Sequence, residues 1–155
     1  MIELRQATAS DAPVLAALHS RTVREVCGRD YSSAQIDVWL ARQTVHGMAE
    51  AIKDGTVVVA VDDVGAIVGF GDRSGNTIRA LYVSAGHQGQ GVGRALLERL
   101  EADASAEGQE ALTAHSSITA VGFYRRMGYE IGERVDCPVT REVPLAAFAV
   151  RKRLA

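Results

Sequence analysis

Six residues, Gln88-Gly89-Gln90-Gly91-Val92-Gly93, place glycine at three alternate positions between two elements of opposite character. Before them lies an apolar stretch, Ile78 to Val83, with the composition of a buried strand. After them an amphipathic helix runs from Arg94 onward. A strand, a glycine-rich turn and a helix start, in that order, make an anion cradle. Glycine lets backbone approach a ligand closely, and the first helical N–H groups have no intrahelical acceptor. The helix dipole adds on the order of 0.3–1 kcal/mol in favour of negative charge. A ligand suited to these residues carries phosphate.

Spelling separates the phosphate loops that could fit. A GxxxxGK[ST] loop needs a lysine, and the chain has only Lys53 and Lys152. A G-x-G-x-x-G fingerprint fails as well. From Gly89 the third glycine would fall on Arg94, and from Gly91 on Leu96. What fits is Q-x-x-G-x-G, Gln88 through Gly91 to Gly93, preceded by Leu81-Tyr82-Val83. That spelling resembles the pyrophosphate-binding motif of the GNAT superfamily of acyl-CoA-dependent N-acetyltransferases. A plain αβ turn would need fewer glycines.

A second block, Ser117 to Tyr129, resembles the superfamily pattern N-x-x-A-x-x-F-Y-x-x-x-G-F. Ala120, Phe123, Tyr124 and Gly128 match it. Tyr129 replaces the usual phenylalanine and Ser117 the usual asparagine. The segment Tyr31 to Trp39 is similar to one bacterial branch, the YafP-like group. The resemblance implies acetyl-CoA as cosubstrate, with its pyrophosphate on the backbone amides of Gln88, Gly89, Gln90, Gly91, Val92 and Gly93, and Arg94 beside them. It implies that the pantetheine arm lies along Leu81, Tyr82 and Val83, where the sheet splays, and that a backbone N–H there meets the thioester carbonyl. Ser117 would bond the arm from the other side, and Tyr124 would act as general acid to the leaving thiolate. Read from the residues alone, the alternatives are that Tyr124 is an amphipathic packing aromatic, Ser117 a helix N-cap and Arg94 a solvated first-turn residue.

The base that accepts the amine proton is left open. Relatives often carry an acid on the strand leading into Leu81, but Asn76 to Ala80 contains none. Asp72, His115 and Glu130 are the replacements, and a histidine suits proton transfer near neutral pH. Arg79, standing where an acid is usual, points to an acceptor with a negative group such as an amino-acid carboxylate.

The elements that must position these groups follow from patterning. Ile2 to Arg5 reads as a strand, and Ser10-Asp11 with Pro13 opens a helix carrying Val14, Leu15, Leu18, Thr22 and Val26. Ser32-Ser33-Ala34-Gln35 spells a capping box before Ile36, Trp39 and Leu40, and a third short helix covers Val45 to Lys53. Thr56 to Val61, Ala66 to Gly71 and the strand ending at Val83 form an antiparallel meander around Asp62-Asp63-Val64-Gly65 and Ser74-Gly75-Asn76. Val92, Leu96, Leu97 and Leu100 mark one face of a helix stopping near Gly108. A strand, Ala111 to His115, a helix, Thr119 to Met127, and two strands, Tyr129 to Val135 and Arg141 to Leu154, complete the chain. The expected fold is α/β (α+β): a mixed, mostly antiparallel central sheet with helices on both faces.

At 155 residues, 47% hydrophobic and 23% charged, the chain suits one domain, residues 1–155. A net charge of −2 with interspersed signs offers no basic surface for nucleic acid. Cys27 and Cys137 lie far apart with no metal-ligand spacing, so free thiols and no metal are expected. No apolar run reaches the roughly 18 residues of a membrane span, and no leader precedes the first strand, so a cytoplasmic protein without membrane contact is expected. With no cysteine in either motif, direct transfer to a small primary amine through a ternary complex is the expected reaction. The Tyr31–Trp39 helical region and the Cys137–Leu145 loop would select that amine. A non-catalytic acyl-CoA-binding or regulatory module and a protein or peptide N-acetyltransferase are the alternatives. A homodimer through edge strands near the C-terminus is compatible with the pattern.

Overall fold

The computed structural model describes residues 1–42, 44–138 and 144–154. Seven strands form one sheet in the order β1-β2-β3-β4-β5-β7-β6. β1 (Glu3–Gln6), β2 (Val57–Val61), β3 (Ile67–Ser74) and β4 (Thr77–Val83) are antiparallel neighbours. β5 (Ala111–Ser117) joins β4 in parallel, and β7 (Pro144–Arg153) is inserted antiparallel between β5 and β6 (Glu130–Pro138). The mixed, mostly antiparallel sheet expected from the patterning is therefore present. The insertion of β7 is a tertiary choice, because its seven pairs with β5, Ala111↔Arg153 to Ser117↔Ala147, join segments distant in sequence. The expected start of that strand at Arg141 lies outside the described residues.

Helices cover both faces. α1 (Ala12–Val26), α2 (Ser33–Ala41) and α3 (Val45–Lys53) lie between β1 and β2 in the chain. α1 has Pro13 in its first turn as its spelling implies, but Asp11, at its N-cap position, makes no side-chain capping bond to it. The Asp11 carboxylate accepts from the Thr8 amide at 2.8 Å and from Arg5, whose guanidinium holds its pKa below the usual carboxylate range. α2 opens on a complete capping box: the Ser32 hydroxyl accepts from the Gln35 amide at 3.1 Å, and the Gln35 side chain accepts from the Ser32 amide at 2.8 Å.

α4 (Val92–Ala106) and α5 (Val121–Arg126) belong to the opposite face. The expected stripe on α4 is the one that is buried: Val92, Leu96, Leu97 and Leu100 are each at most 2% exposed. Burying each leucine contributes about 1.5–3 kcal/mol. They meet Val58, Val68, Ile78 and Leu112 of the sheet, while Leu15, Leu18, Met48 and Ile52 of α1 and α3 pack against Val57, Val59 and Phe70 on the other side.

Two boundaries shift in ways that matter for the site. α4 begins at Val92 rather than Arg94, so Val92 and Gly93 supply first-turn amides. α5 begins at Val121 rather than Thr119, because residues 118–120 form a turn closed by bonds from the Ala120 amide to Ser117.

Candidate active site at the split in the sheet

β4 and β5 pair at only one position, Thr77↔Thr113, and then part. The split is prepared by a bulge in β4. Asp72 and Arg73 are consecutive on β3, yet they face Ala80 and Ile78, which leaves Arg79 as the extra residue. A bulge bends its strand and increases local twist. Beyond the bulge the ladder is regular, and just past its end the Ser84 amide donates to the Val68 carbonyl at 2.9 Å. Amides alternate sides along an antiparallel strand. Tyr82 therefore faces β3, while Leu81 and Val83 turn their amides towards the opening. The Val83 carbonyl has that orientation, accepting from the Gln88 side-chain amide at 2.6 Å.

Gln88 thereby ties the glycine loop to the strand end. Gly89 and Gly91 have φ of 74° and 83°, in the left-handed region that disfavours other residues. A Cβ at either position would meet nothing within 4 Å. Gly91 is the N-cap of α4 and offers no side-chain acceptor to the first-turn amides, which remain available to a ligand. Gln90 is exposed, with its amide turned back towards the Gly86 carbonyl at 3.4 Å. Val92 lines the cavity although its side chain belongs to the core. Arg94 also lines it, but its guanidinium is bonded to Glu98 at 2.9 Å, one helical turn on. His87, half-buried, is bonded to the Ser84 hydroxyl at 2.7 Å.

The second motif closes the opposite wall. The Ser117 hydroxyl, at the end of β5, accepts from the Ala120 amide at 3.1 Å, which leaves its own proton free to be donated. Tyr124 is 5% exposed. Its ring is held edge-on between Phe123 (5.5 Å) and Tyr129 (5.2 Å), and Tyr129 is fixed by its bond to Glu101 at 2.8 Å. Burial alone raises the pKa of the Tyr124 hydroxyl, so the phenol stays protonated at neutral pH.

Two cavities open on either side of this wall. One, of about 520 Å³, contains Val83, Gln88, Gly89, Gly91 and Gly93. The other, of about 470 Å³, contains Tyr31, Trp39, Arg42, Arg79 and His115. They share five residues: Leu81, Tyr82, Ser117, Ala120 and Tyr124. Both volumes suit small-molecule ligands. The sequence reading does not single out Thr22, Cys27, Thr119 and Arg126, which also line the first cavity. Thr22 comes from α1 and Cys27 caps its C-terminal end, and the helical spacing there signals packing and says nothing of a site. Burial raises the pKa of the Cys27 thiol, so it stays protonated and a poor nucleophile.

No Asp or Glu is among the described residues lining either cavity. Asp72, 6% exposed, is held by Arg79 and by the Thr56 hydroxyl, 2.8 Å away. Glu130 is exposed and stands opposite Arg151 in the β6–β7 register. Of the three base candidates, His115 alone lines a cavity.

A glycine loop with uncapped first-turn amides, an opened strand edge and a protonated phenol thus border two adjoining cavities. The chain matches the model of the Acetyltransferase (GNAT) domain over residues 27–136. It is 30% identical over 138 residues to the uncharacterized N-acetyltransferase YafP of Escherichia coli, covering 88% of this chain and 87% of that protein. The peptidyl-lysine N-acetyltransferase YjaB of Salmonella typhimurium is 29% identical over 136 residues, with 88% of each chain covered. The crystal structure of a GCN5-related N-acetyltransferase (Aminotransferase, Class-II) from Rhodopseudomonas palustris superposes with a TM-score of 0.91 at 28% identity, over 98% of this chain and 95% of that one. The chain belongs to the GNAT family of N-acetyltransferases and is an acyltransferase.

Proposed function

We propose that the protein transfers the acetyl group of acetyl-CoA directly to the primary amine of a small molecule. The observation that carries this reading is the shared wall. Tyr124 lines both cavities, and burial holds its hydroxyl in the protonated form.

On this reading, the amides of Gln88 to Gly93 hold the pyrophosphate, aided by Arg94 at the first turn of α4, and no carboxylate stands among the described lining residues to oppose it. The open edge of Leu81, Tyr82 and Val83 takes the pantetheine arm by strand addition, and Ser117 donates from the facing side. A Leu81 or Val83 amide would bond the thioester oxygen as it gains negative charge. The acceptor, in the second cavity, attacks through its nitrogen lone pair. A C–N bond forms, the C–S bond breaks, and Tyr124 delivers a proton to the leaving sulfur. His115 takes the proton lost by the amine. Cys27, held protonated, gives no thiolate for a covalent route.

Thermal unfolding with acetyl-CoA, followed by thiol release from CoA with an amine panel, tests the reading. Stabilisation with transfer to a small amine is expected. Stabilisation without transfer to any amine or peptide would favour a non-catalytic acyl-CoA-binding module. The name of the YjaB relative supports a second reading, acetylation of peptide lysines. That reading prevails if lysine peptides outcompete every small amine.

A further inference from the structure

Resting on the acetyltransferase reading, we infer that the acceptor is an amine that also carries a carboxylate on an apolar body, and that Arg42 is the residue that recognises it. The charge around the second cavity is the first argument. Its described lining has no acid and two guanidinium groups. Arg79 is neutralised in a fork, its Nε and Nη2 each 3.0 Å from a different oxygen of Asp72. Arg42, exposed at the C-terminal end of α2, has no carboxylate partner among the described residues. Among its described lining residues the cavity therefore carries one uncompensated positive charge. A polyamine or a lysine side chain would add like charge to it, with no carboxylate in the described lining to offset the repulsion. A carboxylate instead gains a charge-assisted, bidentate partner from a guanidinium.

The walls supply the second argument. Tyr31 packs edge-on against Trp39 at 5.3 Å, and Leu145 stands beside them. The Tyr31 hydroxyl is engaged at both ends, donating to Ala146 O and accepting from Ile118 N–H. That side of the cavity is therefore rigid, largely apolar, and has no free hydroxyl from Tyr31 to bind a polar body. The same cavity reaches Tyr124 and His115, so an amine near the wall and a carboxylate near Arg42 can belong to one small molecule.

The test is a panel of α-amino acids with apolar side chains, each paired with its own amide, plus a lysine peptide, assayed by CoA thiol release. The amide has the lower amine pKa and is intrinsically more available for attack, so preference for the acid can come only from recognition. The acid is expected to exceed its amide by ~10- to 100-fold in kcat/KM, through KM, as expected for one charge-assisted contact. Arg42→Gln should raise KM for the acid and reduce that ratio to within about threefold, and Arg42→Lys should restore part of it. Amides or the lysine peptide used as well as the acids, or a ratio unchanged in Arg42→Gln, would overturn the assignment while leaving the acetyltransferase reading intact. If acetyl-CoA stabilises the protein but nothing is acetylated, both fall together.

Discussion

The Tyr31 hydroxyl donates to the Ala146 carbonyl at 2.6 Å across 115 positions of sequence. The same oxygen accepts from the Ile118 amide at 2.9 Å, so one side chain joins the segment before α2 to β7 and to the turn before α5. Tyr31→Phe keeps the ring and orphans both backbone groups. A loss of about 1–3 kcal/mol in urea unfolding is expected. The acceptor KM should rise while stabilisation by acetyl-CoA is retained, because the loosened wall borders the second cavity.

Tyr124→Phe and His115→Gln separate the two ends of the proposed reaction. Phenylalanine preserves the contacts with Phe123 and Tyr129 and removes only the proton donor. A fall in kcat of about 10²–10⁴-fold is expected, with acetyl-CoA affinity within twofold of wild type. A packing role alone would leave kcat unchanged. In His115→Gln kcat should fall about 10-fold or more while stabilisation by acetyl-CoA is kept; an unchanged kcat assigns the base to solvent.

The phosphate loop can be tested against a matched control. Gly91 and Gly65 share a positive φ, 83° and 85°, and a Cβ at either would meet nothing within 4 Å. Gly91→Val and Gly65→Val should therefore destabilise the free protein similarly, by about 1–2 kcal/mol. Only Gly91→Val should abolish thermal stabilisation by acetyl-CoA. Equal stabilisation of both variants would move the pyrophosphate elsewhere.

His19 makes stability sensitive to acid. It is 1% exposed, packs edge-on to Tyr82 at 4.5 Å, and neither ring nitrogen has a partner among the described residues. Burial lowers its pKa from 6.5 to about 4. The unfolded chain then binds a proton that the folded chain refuses, so the contribution is complete above pH 6.5 and is lost as pH falls towards 4. The full loss is on the order of 3 kcal/mol. Urea midpoints measured from pH 7.5 to 5 should fall less steeply in His19→Leu than in wild type; parallel slopes would remove His19 as the cause.

Local chemistry was legible wherever the cooperating residues are close in sequence. The glycines from Gly89 to Gly93 and the start of α4 are neighbours along the chain, so the turn and the helix it opens were readable as spelling. The same holds for the capping box at Ser32 and the meander of β2, β3 and β4. Ser117 to Tyr129 was readable as a block, although the turn at 118–120 delays α5, because Ser117 closes that turn on Ala120. Arg94 was expected at the phosphate site, and the structure adds its bond to Glu98 one turn on.

What the sequence determined by itself is the glycine turn, the helix that follows it and the family whose motifs they spell, since turn geometry and helix starts depend on adjacent residues. Only the tertiary structure decided what borders what. The bulge at Arg79 splits β4 from β5, and β7 enters between β5 and β6. Asp72 is taken by Arg79 and withdrawn from the base candidates, while His115 is left on the second cavity. Each of these depends on strand order and register, which arise from long-range burial and pairing that no local spacing encodes.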